Sequence, residues 1–317
     1  MPSLCIDFGG TVIKVGLLEG AHVVATRALA NNGVEADLVA TSNAARDMLG
    51  DAGSREGAVD GVAIAMPGVV DQRRGCLVAA HDKYGYAIGM DIRAWATAQF
   101  GVPAALENDA RAALVGEVAF GCAVGENNAV LIILGTGIGT AALVGGRLFH
   151  GAHDHGGILG GHITVQLDGP ACNCGNVGCA EAVASTWALE RTLHEHPQLS
   201  GSSWWGDRLA RGRVEIKDLL ESQDLTVSRD ILDGYLRAWG AAIVGLCHAY
   251  DPNLVIVSGG VMRSAESILP RLTTYTHEHL WSSSHRPRFI TPASPEQSVL
   301  LGLSVLADHA AQEGKVP

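Results

Sequence analysis

Three thiols and one imidazole fall within an eighteen-residue stretch of this chain, at His162, Cys172, Cys174 and Cys179. The string Cys172-Asn173-Cys174-Gly175-Asn176-Val177-Gly178-Cys179-Ala180-Glu181 holds two glycines, which let the backbone turn tightly enough for three sulfurs to meet one ion. Thiolates with one imidazole suit tetrahedral Zn²⁺, and four protein ligands leave no open coordination position, so the expected metal is structural and holds a loop. The competing account, cysteines used as small buried hydrophobes, fits the scattered Cys5, Cys76, Cys122 and Cys247 better than this cluster. An odd total of seven cysteines is not a disulfide framework either.

A second chemistry is carried by three glycine turns, each set after a short apolar run: Asp7-Phe8-Gly9-Gly10-Thr11, Gly135-Thr136-Gly137-Ile138-Gly139 and Ser258-Gly259-Gly260. Glycine admits close approach of the main chain, so backbone N–H groups can face phosphate oxygens while threonine hydroxyls add donors. A carboxylate such as Asp7 can hold Mg²⁺, usually through water. One such turn alone is only a turn; three together point to a phosphate clamp. No Gly-x4-Gly-Lys-Ser/Thr, no Gly-x-Gly-x-x-Gly after a strand and no Gly-x-Ser-x-Gly elbow occurs, so the other common nucleotide and hydrolase motifs are not supported.

The elements that must position these residues alternate. Leu4 to Phe8 and Val12 to Leu18 read as a hairpin about the first turn, and Ala129 to Leu134 with Thr140 to Val144 repeats that unit about the second. Asp60 to Ala65 reads as a strand closing at Met66-Pro67-Gly68. Asp91 to Phe100 shows helical spacing, and the strand Ala104 to Glu107 delivers Asn108 and Asp109 to the start of a helix over Ala110 to Phe120. Further on, a long helix spans Val227 to Tyr250, a strand Leu254 to Val257 precedes the third turn, and a last helix covers Glu296 to Ala311. Strands alternating with helices predict an α/β class, and the repeated strand–turn unit predicts two similar lobes about a cleft, joined near Gly116 to Gly125.

A chain of 317 residues is long enough for two cores. With 47% apolar and 17% charged residues it has the composition of a folded domain, and its 40 glycines suit many tight turns. The formal charge of −11 opposes nucleic acid or anionic lipid as a main partner. No apolar run spans a bilayer and the first residues carry no signal-peptide pattern, so a cytoplasmic setting is expected.

With these residues assembled, the sequence resembles the ROK family of bacterial sugar kinases and related repressors. The resemblance runs over nearly the whole chain, through Asp7-x-Gly9-Gly10-Thr11-x-x-Lys14, Pro67-Gly68-Val69-Val70-Asp71, Glu107-Asn108-Asp109-Ala110, Gly135-Thr136-Gly137-Ile138-Gly139, Gly161-His162, the cysteine string ending at Glu181, and Ser258-Gly259-Gly260. It implies a two-lobed actin-like ATPase (ribonuclease H-like) fold with a structural zinc loop. An N-terminal lobe over 1–120 would be completed by the C-terminal helix of 296–317, and a second lobe over 121–295 would carry the zinc loop. It further implies ATP with Mg²⁺ as phosphate donor, a sugar as acceptor, and a homodimer. Carried over by position, Asp109 would be the general base, with Asn108, His162, Glu181 and Gly68 at the sugar. Asp7, Gly9, Gly10, Thr11, Lys14, Gly135, Thr136, Gly137, Gly259 and Gly260 would hold the nucleotide. A sugar-responsive repressor would need a DNA-binding segment before the core, whereas the first strand already begins at Leu4; a silent sugar-binding protein would not need Asp109 and all three turns.

The chain departs from the family pattern where Gly157-Ile158-Leu159-Gly160-Gly161-His162 replaces Ala-Gly-Glu-x-Gly-His, so Leu159 stands in place of a pocket carboxylate. Leucine accepts no hydrogen bond, which predicts a sugar that is less polar at that corner. Lys83 in the sugar-facing loop could contact an acidic sugar, though exposure beside Asp82 is the favoured reading; His153-Asp154-His155 could reach sugar or a second metal, with a polar loop favoured; and Trp204-Trp205 could stack on a sugar ring, with packing favoured.

Overall fold

A computed structural model of the chain describes residues 1–51, 59–80 and 82–314. The chain forms two compact units, unit 1 from Met1–Asn127, Ala141–Ile158 and Pro292–Pro317, and unit 2 from Asn128–Thr140 and Leu159–Thr291.

Unit 1 opens with β1 (Ser3–Phe8), β2 (Val12–Glu19) and β3 (His22–Ala30), then α1 (Ala36–Asp51), β4 (Val62–Met66), β5 (Val69–Asp71), β6 (Cys76–Ala79), α2 (Ile92–Phe100), β7 (Ala104–Asn108) and α3 (Asp109–Phe120). Its main sheet has the order β3-β2-β1-β4-β7, in which β1 to β3 form an antiparallel meander and β1, β4 and β7 run parallel. Every residue of β1 and β4 is buried, as strands covered on both faces must be. The two-residue period sorts them: Leu4, Ile6 and Phe8 pack with Leu38 and Met48 of α1 and Ile92 and Ala96 of α2. Cys5, Ala63 and Ala65 point the other way, to Leu300, Leu303 and Ala307.

Unit 2 is built on β8 (Ala129–Leu134) and β9 (Ile138–Val144), the latter running on into unit 1, where it forms a hairpin with β10 (Arg147–Leu148). The helices α4 (Ala180–Ala184), α5 (Leu189–Glu195), α6 (Ser203–Ala210), α7 (Ile216–Glu221) and α8 (Thr226–Tyr250) follow, then β11 (Leu254–Ser258), α9 (Ala265–His279) and β12 (Arg288–Ile290). β8, β11 and β12 are parallel. Trp239 of α8 donates its indole N–H to the Ala184 carbonyl at 2.8 Å and Tyr235 its hydroxyl to Ser185 at 3.3 Å, which fixes α4 against the long helix. Trp205 is wholly buried with its indole N–H on Ser228 at 3.0 Å, a packing role. The chain ends in α10 (Ser298–Glu313), a unit 1 element.

The sequence reading places 121–127, 141–158 and 292–295 in the second lobe, whereas the structure groups them with unit 1. For 141–158 one tie is Arg111 of α3, whose Nη2 donates to the carbonyls of Asp154 at 2.8 Å and Gly156 at 2.7 Å. Among the described residues no helix is long and apolar enough to cross a membrane. The side chain of Lys83 lies outside those described.

Candidate active site

In unit 1 the parallel register sets Met66 of β4 beside Asn108 of β7, so the Pro67-Gly68 turn meets the first residues of α3. Gly68 has φ +106°, and a Cβ there would stand 2.2 Å from the Ala79 carbonyl, so only glycine fits. Its carbonyl accepts the Asn108 side-chain amide at 3.0 Å. Asn108 also caps α3, its Oδ1 taking the Arg111 N–H at 3.1 Å, and its amide donates to Asp109 Oδ1 at 3.0 Å. Asp109 Oδ1 takes the Ala110 N–H as well, at 2.8 Å. One carboxylate oxygen is thereby fixed, and Oδ2 remains to accept a proton. Burial pushes the Asp109 carboxyl up to about 6, against these hydrogen bonds, which pull it down.

Behind this pair sits a network that sequence reasoning did not single out. Glu107 and Arg111 are both fully buried, with Nη1 and Oε1 3.4 Å apart. Oε1 also takes the Asn108 N–H at 2.7 Å, while Oε2 meets the Gln72 amide and His150 Nε2, the latter at 3.0 Å. Their i,i+4 spacing was the available signal.

The first glycine turn lies in the same unit. Gly9 donates to the Val12 carbonyl at 3.1 Å, and its own carbonyl accepts from Asn31 Nδ2 at 2.9 Å and the Tyr84 hydroxyl at 2.8 Å. Asp7 pairs in register with Lys14, whose Nζ donates to the Glu296 carbonyl at 3.1 Å. Burial, then the Asp109 charge, push the Asp7 carboxyl up to about 7, with Lys14 pulling it down. A buried carboxylate whose charge Lys14 only partly offsets, beside this turn, is a fitting partner for Mg²⁺.

In unit 2 the other two turns abut. Gly259 has φ +97°, and a Cβ there would lie 2.3 Å from the Leu134 carbonyl at the end of β8. A cavity of about 380 Å³ is lined by Gly135 and Thr136 of one turn, Gly260 of the other, the cations Arg213, Lys217 and Arg263, and the single anion Glu215, which pairs with Lys217 at 3.2 Å. Such a lining suits a polyanionic ligand.

The ligand atoms of His162, Cys172, Cys174 and Cys179 lie within 4.8 Å of one another. Zn–S bonds of about 2.3 Å in a tetrahedron put sulfurs roughly 3.8 Å apart. Cys174 and Cys179 sulfurs are 3.7 Å apart, and Cys172 Sγ is 3.6 Å from His162 Nδ1, so the donor set fits such an ion. Burial pushes the Cys179 thiol up to about 12 in the absence of a metal, so binding must expel its proton. Glu181, two residues on, does not stand apart from this unit: its Oε2 takes the Ile138 N–H at 2.7 Å.

The ROK family model matches residues 3–310. A glucokinase of Thermotoga maritima is 30% identical over 285 residues, covering 88% of this chain and 88% of that protein. The xylose repressor of Bacillus subtilis is 25% identical over 253 residues, which is 78% of this chain but 61% of the repressor. Among solved structures, a ROK family glucokinase from Streptomyces griseus in complex with glucose and AMPPNP superposes with a TM-score of 0.82 at 27% identity, covering 98% of this chain and 100% of that one. The fold is therefore the two-lobed actin-like ATPase α/β fold of these kinases, and the chain belongs to the ROK family.

Proposed function

We propose that the protein transfers the terminal phosphoryl group of ATP to a hydroxyl of a sugar, a hexose, hexosamine or derivative. The observation that carries this reading is Asp109, whose Oδ1 is held by Asn108 and Ala110 while Oδ2 stays open. Phosphoryl transfer asks for an attacking oxygen in line with the phosphorus and a carboxylate to take its proton, and it asks little more than positioning. Asp109 is that base, and Asn108, Gly68, His162 and Glu181 are the sugar-side groups.

Asp7, Gly9, Gly10, Thr11, Lys14, Gly135, Thr136, Gly137, Gly259 and Gly260 would hold the donor. Mg²⁺ near Asp7 would spread the charge of the transferring phosphate. Zn²⁺ on His162, Cys172, Cys174 and Cys179 would be structural. The exposed Leu159 argues for an acceptor that offers a methyl, a deoxy carbon or a glycosidic group there. A cytoplasmic setting, where thiolates stay reduced, and a homodimer go with this reading.

ADP release measured over hexoses, hexosamines and their glycosides tests it. Asp109→Ala should lower turnover by about 10²- to 10⁴-fold while sugar binding persists. A variant as fast as the parent would end the assignment.

A further inference from the structure

Glu181 enters the reading above as a sugar-side group, yet its hydrogen bond in the structure goes to the glycine turn of unit 2. Oε2 accepts the Ile138 N–H at 2.7 Å, and a Cβ added to Gly137 would lie 2.6 Å from the same oxygen. The residues just after it tie the turn twice more. Thr186 donates to the Gly135 carbonyl through both its N–H and its hydroxyl at 3.0 Å, and the Trp187 N–H reaches the Thr136 carbonyl at 3.4 Å. A single segment, Glu181 to Trp187, therefore grips the turn at three positions.

That segment starts from the cysteine cluster. Cys179 is the N-cap residue of α4, two positions before Glu181, and its thiol lies 3.4 Å from the His162 carbonyl. Ala180 donates to the Ile163 carbonyl at 2.9 Å, so the chain flanking Cys179 is bonded to the chain flanking His162. Within the turn, Gly135 donates to the Gly137 carbonyl at 3.0 Å and Ile138 to Glu181. From Gly135 to Ile138, Thr136 and Gly137 are then the amides left for a phosphate. Holding Ile138 also matters electrostatically, because a carboxylate beside a phosphate site repels the ligand unless its charge is taken up by a donor.

We infer that Glu181 is a positioning residue that carries the order of the Cys/His metal cluster to the Gly135–Gly139 turn, so that the cluster sets affinity for the phosphate donor. The donor's identity rests on the kinase reading; the coupling does not.

Calorimetry on the full-length, zinc-loaded protein with AMPPNP and no sugar tests it, alongside hydrogen exchange at the Ile138 amide. Glu181→Ala should weaken the analogue on the order of tenfold and speed exchange at Ile138. Glu181→Gln keeps an acceptor and loses the charge, so it should bind within about threefold of the parent. Chelating the metal should weaken the parent as Glu181→Ala does, and should add little in that variant, because both act through one link. If Glu181→Ala does not fold, Glu181→Asp, too short to reach Ile138, should show the same loss. An analogue affinity unchanged by Glu181→Ala and Glu181→Asp, or an equal chelation loss in parent and Glu181→Ala, overturns the coupling. If those two variants leave the analogue's affinity unchanged and weaken only a sugar titrated alone in the same calorimeter, Glu181 is a sugar ligand and no link to the turn. ADP release absent with every sugar would end the kinase reading, while these binding and exchange results would still decide the coupling.

Discussion

Asp109, the proposed base, owes its proton affinity to its position. Its Oδ1 is occupied by two N–H donors that favour the ionised form, but burial wins and the carboxyl rises to about 6. A raised value means that the proton is held until near neutral pH, so the base is competent only above about 6 and is lost as the pH falls through it. Asp7, pushed up to about 7 by burial and then by the Asp109 charge, titrates in the same range. We therefore expect kcat/KM for the sugar to fall through about pH 6 to 7 on the acid side. A rate measured between pH 5 and 8 that stays level would contradict the assignment. Asp109→Asn keeps an oxygen for Asn108 and Ala110, so its expected loss is of rate and not of fold.

Elements are joined here by a few buried polar groups. Arg111 ties three of them: through Glu107 it reaches the end of β7, and through Asp154 and Gly156 it holds the loop of 151–157 to α3. Removing one partner of a buried ion pair leaves the other charge stranded, so Arg111→Met should cost about 3 to 5 kcal/mol. Urea unfolding measures this, and adding Glu107→Gln should recover part of the loss. Sugar KM should rise as well, because the same helix start carries Asn108 and Asp109. These ties mark the limit of what sequence discloses. The Cys/His cluster was legible because three of its members lie within eight residues, and β1, β7, β8 and β11 because each is a short, largely buried run ended by glycine or by a helix cap. Asn31 and Tyr84, which hold the Gly9 carbonyl, lie 22 and 75 residues from it, and no periodicity reports such a pairing. The helices α5, α6 and α7, of 7, 8 and 6 residues, are too short to display a helical period over the windows that reveal one.

At the scale of the molecule, the two units differ in how the chain builds them. Unit 1 is assembled from both ends: Ser3 of β1 donates its hydroxyl to Asp308 of α10 at 2.7 Å, and Ser304 reaches the Gly20 carbonyl at 3.0 Å. Close packing of α10 on α3 depends on glycines, since a Cβ on Gly302 would stand 1.7 Å from the Ala112 carbonyl and one on Gly116 2.2 Å from that of Ser298. Leu300, Leu303 and Ala307 then cover Cys5, Ala63 and Ala65 on a sheet face that α1 and α2 do not reach. Each leucine contributes about 1.5 to 3 kcal/mol by leaving water, and the total stability of a domain is only about 5 to 15 kcal/mol. A chain ended at residue 297 should therefore lose amide protection in β1 and β4, while β8 and β11 of unit 2, whose core needs none of α10, keep theirs. Gly302→Leu in the full chain should show the same pattern more weakly, as a lowered unfolding midpoint reported from unit 1 amides. A truncated chain in which β1 and β4 remain protected would mean that this helix rests on a core already complete without it.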